Sequence, residues 1–511
     1  MFASLPFLPL RDMKFFLLSV FIVLSLFSIS LADDAMVWVE EGKKIDTWPT
    51  CVDMVRNIPN TNIYRITFQD GSDCLDVLKQ VEGVVFVEES KPVFIPDMLT
   101  AQINGSVHTC SAVLKNGDAL ANLGNGKNIV VAVIDTGISF PIYFSSLKKN
   151  INEIPGDGID NDLNGYIDDY DGWDFGDMDS DPADLLGHGT EVTSILLSVA
   201  PKVSVLPIKV NSGMDISFST GDAAEAIYYA VSRGADVINL SFSAEKFSFA
   251  IYSAVIYAVN SGCVVLAAAG NDGANVNFPA FMDEVIAVGS HDVSGAPSWF
   301  SPMGDAMDIL GPGEDVCATN IDGMDTIVSG TSFSTPVITG AVAVLLSMNP
   351  NLTPESIKKI LFKGTNDILD PGWDMFSGYG NIDSKVLVSV STPSINLPDK
   401  VLKGSQLDIG FTLPPTDTLN DVFFALIYKN VIWWLDSSGF WHNAGETDFS
   451  PLMTFNFNTF TTKGLYGQFS SYKSIDTTPH EPGNYLWGIG IFDKNGNMLA
   501  PLSWKEMNLY M

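Results

Sequence analysis

The stretch 128–138, NIVVAVIDTGI, decides the fold. Its apolar residues run without alternation and end at turn residues, the pattern of a strand buried on both faces. Four later segments share that texture: VSVLPIKV at 203–210, ADVINLSF at 235–242, CVVLAAAG at 263–270 and EVIAVGSH at 284–291. Helical stretches lie among them: TEVTSILLSVA at 190–200, GDAAEAIYYAVSRG at 221–234 and SFAIYSAVIYAVNSG at 248–262. Strands alternating with helices build βαβ units, so the expected fold is α/β, a doubly wound and mostly parallel sheet covered on both faces. Two further helices are expected, one opening at Ser332 and one over TPESIKKILFKG at 353–364 with Thr353 as its cap.

Outward from this core the texture changes twice. Residues 33–100 read as a small α+β unit, with strands NIYRITFQ at 62–69 and VVFVEE at 84–89 around a helix at 72–83. Past residue 389 the chain becomes aromatic and β-prone, in segments such as VFFALIYKN, VIWWLD and NYLWGIGIF. Residues 390–511 are therefore expected to form an antiparallel β-sandwich, with the α/β domain over 101–389.

The N-terminus carries Arg11 and Lys14 before an uncharged run from Phe15 to Leu31, with Ser30 and Ala32 at the −3 and −1 positions of a cleavage site. Residues 1–32 read as a secretory signal peptide, which implies a secreted, extracellular or cell-surface protein. A signal anchor is the other reading, because the run is almost long enough to span a bilayer. Met13 is an alternative start.

The 511 residues fit two to four domains. A composition 46% hydrophobic and 17% charged is that of a globular chain, not a disordered one. The net charge of −33 argues against nucleic acid as a partner, since phosphate binding needs basic patches. Of the five cysteines an odd one is left unpaired within the chain. Cys263 reads as a core thiol, and Cys51 and Cys74 could pair, although spacing does not decide it.

Four positions carry chemistry. Asp135 ends the first buried strand, where catalytic and ligand groups of open α/β sheets gather; a turn Asp is the plainer role. His188 is framed by Gly187 and Gly189, which permit close approach of another chain, but an ordinary loop His fits too. Asn271 follows the strand ending in Gly270, and its amide could donate to an oxyanion or simply occupy a turn. Ser332 opens a helix, where serines usually cap. Taken together and in this order, AVIDTGI, GHGTEV, AAAGNDG and SGTSFSTP resemble the four signature blocks of the subtilisin-family serine peptidases over about 128–385. The resemblance implies that Ser332 is the nucleophile with its hydroxyl aimed at His188, His188 the general base and acid, Asp135 its orienting carboxylate, and Asn271 an oxyanion donor with the Ser332 backbone N–H.

The same resemblance places two walls of the primary specificity pocket at Leu240, Ser241, Phe242 and Ser243 and at Ala267, Ala268, Ala269 and Gly270, with Asn277 near its floor. Apolar walls imply protein or peptide substrates with an apolar or uncharged residue before the scissile bond. Residues 33–100 resemble the family's inhibitory propeptide; a permanent accessory domain is the alternative. The family usually has a second His three residues after the catalytic one, and here Glu191 stands there. A carboxylate so placed is expected to raise the His188 pKa and shift the activity profile slightly alkaline.

From Glu153 to Asp184 there are about a dozen carboxylates and no Lys or Arg. Within this run, DNDLNGYIDDYD at 160–171 has EF-hand spacing, which predicts structural Ca2+ held by Asp160, Asp162, Asn164, the Tyr166 carbonyl, Asp168 and Asp171. A solvated acidic loop is the plainer reading. GNGKN at 124–128 lacks the full phosphate-loop spacing and reads as a turn. The expected protein is a monomeric secreted endopeptidase; its rival is a catalytically inactive subtilase-fold surface binding protein.

Overall fold

The structure, a computed structural model, describes residues 33–68, 73–95, 124–244 and 246–391, and past 391 the backbone of separate strands. The expected signal peptide lies outside the described residues. Two compact units emerge, divided after Ser90.

In the first unit, β1 (Asp33–Val39), β2 (Val52–Asn57), β3 (Ile63–Phe68) and β4 (Val84–Glu89) form an antiparallel sheet in the order β2-β3-β1-β4. Its alternating residues Ala35, Val37, Ile66 and Phe68 bury one face against Cys74 and Leu78 of the short helix α1 (Asp73–Leu78). So small a core needs a staple. Cys51 and Cys74 supply it as a disulfide across 23 residues, which constrains the unfolded chain by about 3 kcal/mol.

The second unit begins at Lys91. It opens with β5 (Pro92–Phe94) and contains a nine-stranded sheet. Parallel neighbours fill most of that sheet: β6 (Val130–Asp135), β7 (Trp173–Asp174), β8 (Ser204–Lys209), β10 (Val237–Leu240), β11 (Val264–Ala268), β12 (Ile286–His291) and β13 (Ile309–Pro312). The short β9 (Ser217–Ser219) stands outside it and pairs with β5. The order β13-β12-β11-β10-β6-β8-β7 reverses direction at β6, whose neighbours are β8 on one side and β10 on the other. Such a switch point leaves a crevice at the strand C-termini. Asp135 and Leu240, the last residues of β6 and β10, therefore lie at its edge. All six residues of β6 are buried, as its continuous apolar run predicts.

The five longest helices among the second unit's described residues are α2 (His188–Val199), α3 (Thr220–Ser232), α4 (Phe249–Asn260), α5 (Thr331–Met348) and α6 (Pro354–Lys363). Thr353 caps α6, accepting from the Ser356 N–H at 3.2 Å. Helix α5 is long and apolar enough to cross a membrane, but it is buried from Thr331 to Leu346 among the strands and α2. A helix apolar on all sides has to be a core helix in such a setting. Gly340 lets α5 approach α2 closely, since a Cβ there would sit 2.7 Å from that of Val199. GNGKN is a turn, with Ile129 N–H bonded to the Gly126 carbonyl.

Beyond residue 391 the described backbone forms one three-stranded and one larger sheet, antiparallel except for one pair, Lys400–Leu402 beside Met498–Tyr510.

Candidate active site

Asp135 reaches the crevice from β6 and is buried. Its Oδ1 accepts the Thr136 N–H at 2.7 Å and lies 2.7 Å from His188 Nδ1. The His188 ring is at the first position of α2, and the glycines around it explain how a helix end comes so near a strand end. A Cβ on Gly189 would lie 2.2 Å from the Gly137 carbonyl oxygen, so only glycine admits that contact. Asp184 fastens the helix start by accepting from the N–H groups of Leu186, Gly187 and Thr190 and from the Thr190 hydroxyl. Burial alone would lower the His188 pKa; the Asp135 charge and hydrogen bond, with Glu191 and Asp184, outweigh it and the net shift is upward.

Ser332 is the second residue of α5, and Gly330, not Ser332, stands at the cap position. The residue is therefore free of the capping role. Its hydroxyl donates to the Ser241 carbonyl at 3.2 Å, and His188 Nε2 has no hydrogen-bond partner among the described residues. The expected aim of the hydroxyl at His188 is thus not what the structure has. Pairs of this kind often close only around substrate. The other half of the Ser241 contact has a sequence cause. Pro336 has no N–H for the carbonyl four residues before it, and the Ser241 hydroxyl donates to that Ser332 carbonyl at 2.8 Å.

Asn271 is held through its oxygen. Oδ1 accepts the Thr331 N–H at 2.9 Å and lies 3.0 Å from the Thr331 hydroxyl. That leaves Nδ2 as a donor over Gly330, where an added Cβ would come within 3.2 Å of it. Of the first-turn N–H groups of α5, that of Thr331 goes to Asn271 Oδ1 and those of Phe333 and Ser334 to the Gly330 carbonyl. Phe333 packs its ring on His188, centroids 5.3 Å apart.

The two expected walls are the ends of β10 and β11. Leu240, Ser241, Phe242, Ala267, Ala268 and Ala269 are buried, and Ser243 is half-buried. Asn277 closes the second wall: its N–H bonds to the Ala269 carbonyl at 2.9 Å, and its amide fills the space a Cβ on Gly270 would need. Phe242 stacks edge-on against Phe218 of β9. Between β9 and Ser243 runs β5. Phe94 exchanges both backbone hydrogen bonds with Ser243 at 3.3 Å, and Ile95 N–H reaches the Ile216 carbonyl. Val93 and Ile95 are buried and Phe94 is exposed.

A sequence profile described as the Subtilase family matches residues 126–380. Thermitase of Thermoactinomyces vulgaris is 34% identical over 239 residues, which are 44% of this chain and 77% of that protein. The chain belongs to the subtilase family. Subtilisin DY of Bacillus licheniformis is 32% identical, over 48% of this chain and 86% of the relative. A thermophilic serine proteinase of Bacillus sp. (strain AK1) is 35% identical over 43% of this chain, but the match spans only 53% of that relative's length. The subtilases are serine-type endopeptidases, and the fold expected from the alternating segments is theirs.

Within this subtilase the acidic segment is organised around a residue the sequence reading missed. Glu153 is buried; its Oε1 accepts the N–H groups of Asn161 and Asp162 at 2.8 and 3.0 Å, and its Oε2 accepts that of Asp168. Carboxylate oxygens of Glu153, Asp160 and Asp162 lie within 4.8 Å of one another. Asn164 Oδ1 accepts the Tyr166 N–H, and the buried Tyr166 hydroxyl donates to Glu225. Asp168 and Asp171 depart from the expected ligand set. Asp168 accepts from the N–H groups of Gly156, Asp157 and Gly158, and Asp171 pairs with Lys149. The reason is local. The last three residues of the loop, Asp169–Asp171, form a 3-10 turn where an EF-hand begins its second helix, and Asp171 turns to Lys149. Glu153, seven residues before Asp160, takes the third place from the other direction. The signal available was its membership of the same acidic run. Asp184, Thr331 and Phe333 were also missed, since each acts by holding or touching another functional residue.

Glu191 lies on the first turn of α2 and is 9% exposed. Burial pushes its carboxyl up to about 7, against the pull of His188, with Asp184 and Asp135 adding to the rise. Its charge is among the causes that raise the His188 pKa, as its position three residues on implies.

Proposed function

We propose that the chain is a secreted serine endopeptidase. The observation that carries this is the buried Asp135–His188 pair at the sheet's switch point, beside a serine on the first turn of α5 and an asparagine amide fixed by Thr331. In the reaction, Ser332 Oγ turns from the Ser241 carbonyl and attacks the scissile carbonyl while His188 Nε2 takes its proton. Asp135 holds the imidazole through Nδ1 and stabilises the imidazolium. Asn271 Nδ2 and the Ser332 N–H hold the tetrahedral oxyanion. His188 then passes its proton to the leaving amine, and a water molecule repeats the sequence on the acyl-enzyme.

The buried walls at 240–243 and 267–270 support a preference for apolar or uncharged residues before the scissile bond. Residues 33–100 act as a propeptide that the enzyme removes. What supports this reading is β5, an extended segment already hydrogen-bonded along the cleft between β9 and Ser243, where a substrate strand would lie. Glu153, Asp160 and Asp162 would hold a structural calcium ion: their oxygens suit a hard cation, and three carboxylates so close repel one another without one. The strands past residue 391 are taken as a sandwich domain, and the protein as a monomer whose signal peptide, 1–32, directs it outside the cell.

Labelling by a serine-directed phosphonate tests the activity. The purified protein should be labelled and Ser332→Ala should not. An unlabelled wild-type chain would reject the peptidase reading and favour the inactive binding protein.

A further inference from the structure

Glu191 stands one turn from His188 on α2, and residues three apart on a helix have Cβ atoms about 5–6 Å apart. The elements packed around it supply few charges. Helix α5 (Thr331–Met348) and the strand Val316–Thr319 contain none; β6 supplies Asp135, and the loop before α2 supplies Asp184. Asp184 is already satisfied by four donors, and Asp135 Oδ1 by two partners. Glu191 Oε2 is buried with no hydrogen-bond partner among the described residues. The charge facing it that could offset its own is therefore the imidazolium of His188.

We propose that Glu191 acts on the reaction as a positioning residue: its carboxylate steadies the imidazolium that His188 becomes, and the two side chains hold their protons as one pair. This rests on the peptidase reading for its kinetic consequence. When Ser332 gives its proton to His188 Nε2, the new positive charge meets Asp135 at Nδ1 and Glu191 from the helix side. In the resting enzyme the relation works in reverse. A proton taken up by Glu191 removes the charge that favours protonation of His188, so the base stays neutral further into acid. Burial pushes the Glu191 carboxyl up to about 7, and His188 is shifted upward from its ordinary value with Glu191 among the causes; interacting groups of this kind titrate in macroscopic steps that belong to the pair.

Two measurements test this. The first is kcat/KM against pH on a peptide substrate for the wild type, Glu191→Gln and Glu191→Asp. The wild-type acid limb should be broader than a single ionisation, because a proton on either group makes the other harder to protonate. Glu191→Gln should give a single ionisation, its midpoint lower by about one pH unit, and a plateau lower by roughly threefold. Glu191→Asp should restore the broader limb. The second is the NMR titration of the His188 ring in Ser332→Ala protein, which needs no turnover. Its two-step titration should become one step when Glu191→Gln is added. An acid limb in Glu191→Gln within about 0.2 pH unit of wild type, or a one-step titration in both NMR samples, overturns the proposal. Absence of turnover and of phosphonate labelling would reject the peptidase reading instead, and the NMR titration would still decide whether the pair exists.

Discussion

Replacing Asn271 separates two jobs that one side chain performs with its two ends. Nδ2 faces the space over Gly330, and Oδ1 accepts the Thr331 N–H at 2.9 Å. Asn271→Ala removes both. Loss of one oxyanion donor costs about 10²–10³ in kcat. Loss of the acceptor leaves a helix N–H without its partner, which costs about 1–3 kcal/mol of stability and lowers Tm by roughly 4–8 °C for about 2 kcal/mol in a domain of this size. Asn271→Asp divides the two effects. It keeps an oxygen for the Thr331 N–H, so its Tm should stay within about 2 °C of wild type. It puts a negative charge where the oxyanion forms, so its kcat should fall at least as far as that of Asn271→Ala. The assay is kcat on a chromogenic peptide, normalised by active-site titration, with melting followed in the Ser332→Ala background to prevent autolysis. A kcat for Asn271→Ala within about threefold of wild type would refute the oxyanion role. Equal Tm losses for the two variants would refute the Oδ1 role.

Chelation should lower Tm, because a ligand bound only by the native state adds about 2.7 kcal/mol at a hundredfold excess over Kd. Differential scanning calorimetry with calcium and with EDTA should show the shift in wild type and not in Glu153→Gln, whereas a shift unaffected by Glu153→Gln would move the site elsewhere. Val93→Asp places a charge in the buried seat of β5 and should slow maturation severalfold. Sequencing the N-terminus of the mature protein should find it downstream of Ile95, and a start before Lys91 would reject β5 as the segment that enters the cleft.

Much of the catalytic domain was legible as pattern. The apolar runs ending at Asp135, Leu240 and Ala268 fixed strand type, because a strand buried on both faces has no polar phase to disguise it. The glycines beside His188 read as places of close approach, and the Gly137 contact of Gly189 is one. Ser332 was placed at a helix start where a cap would stand, but the cap is Gly330, two positions earlier, since helix ends depend on backbone angles that composition specifies weakly. The acidic loop was the least legible part. EF-hand spacing is a statement about which residues could turn inward, and it presumes the helix that usually follows. With a 3-10 turn in that place, Asp171 meets Lys149 and Asp168 meets a row of backbone amides.

By itself, then, the sequence determined the kinds of element, their order along the chain and the residue types able to carry acyl transfer. Those depend on periodicity and on side-chain chemistry, which are local. Only the tertiary structure decided where the Ser332 hydroxyl rests, that Thr331 orients the Asn271 amide, that Glu153 joins Asp160 and Asp162, and that Glu191 shares a buried space with His188. Each of these is a meeting of side chains brought together by packing. Burial there sets both the geometry and the cost of charge, and neither is a property of any one segment.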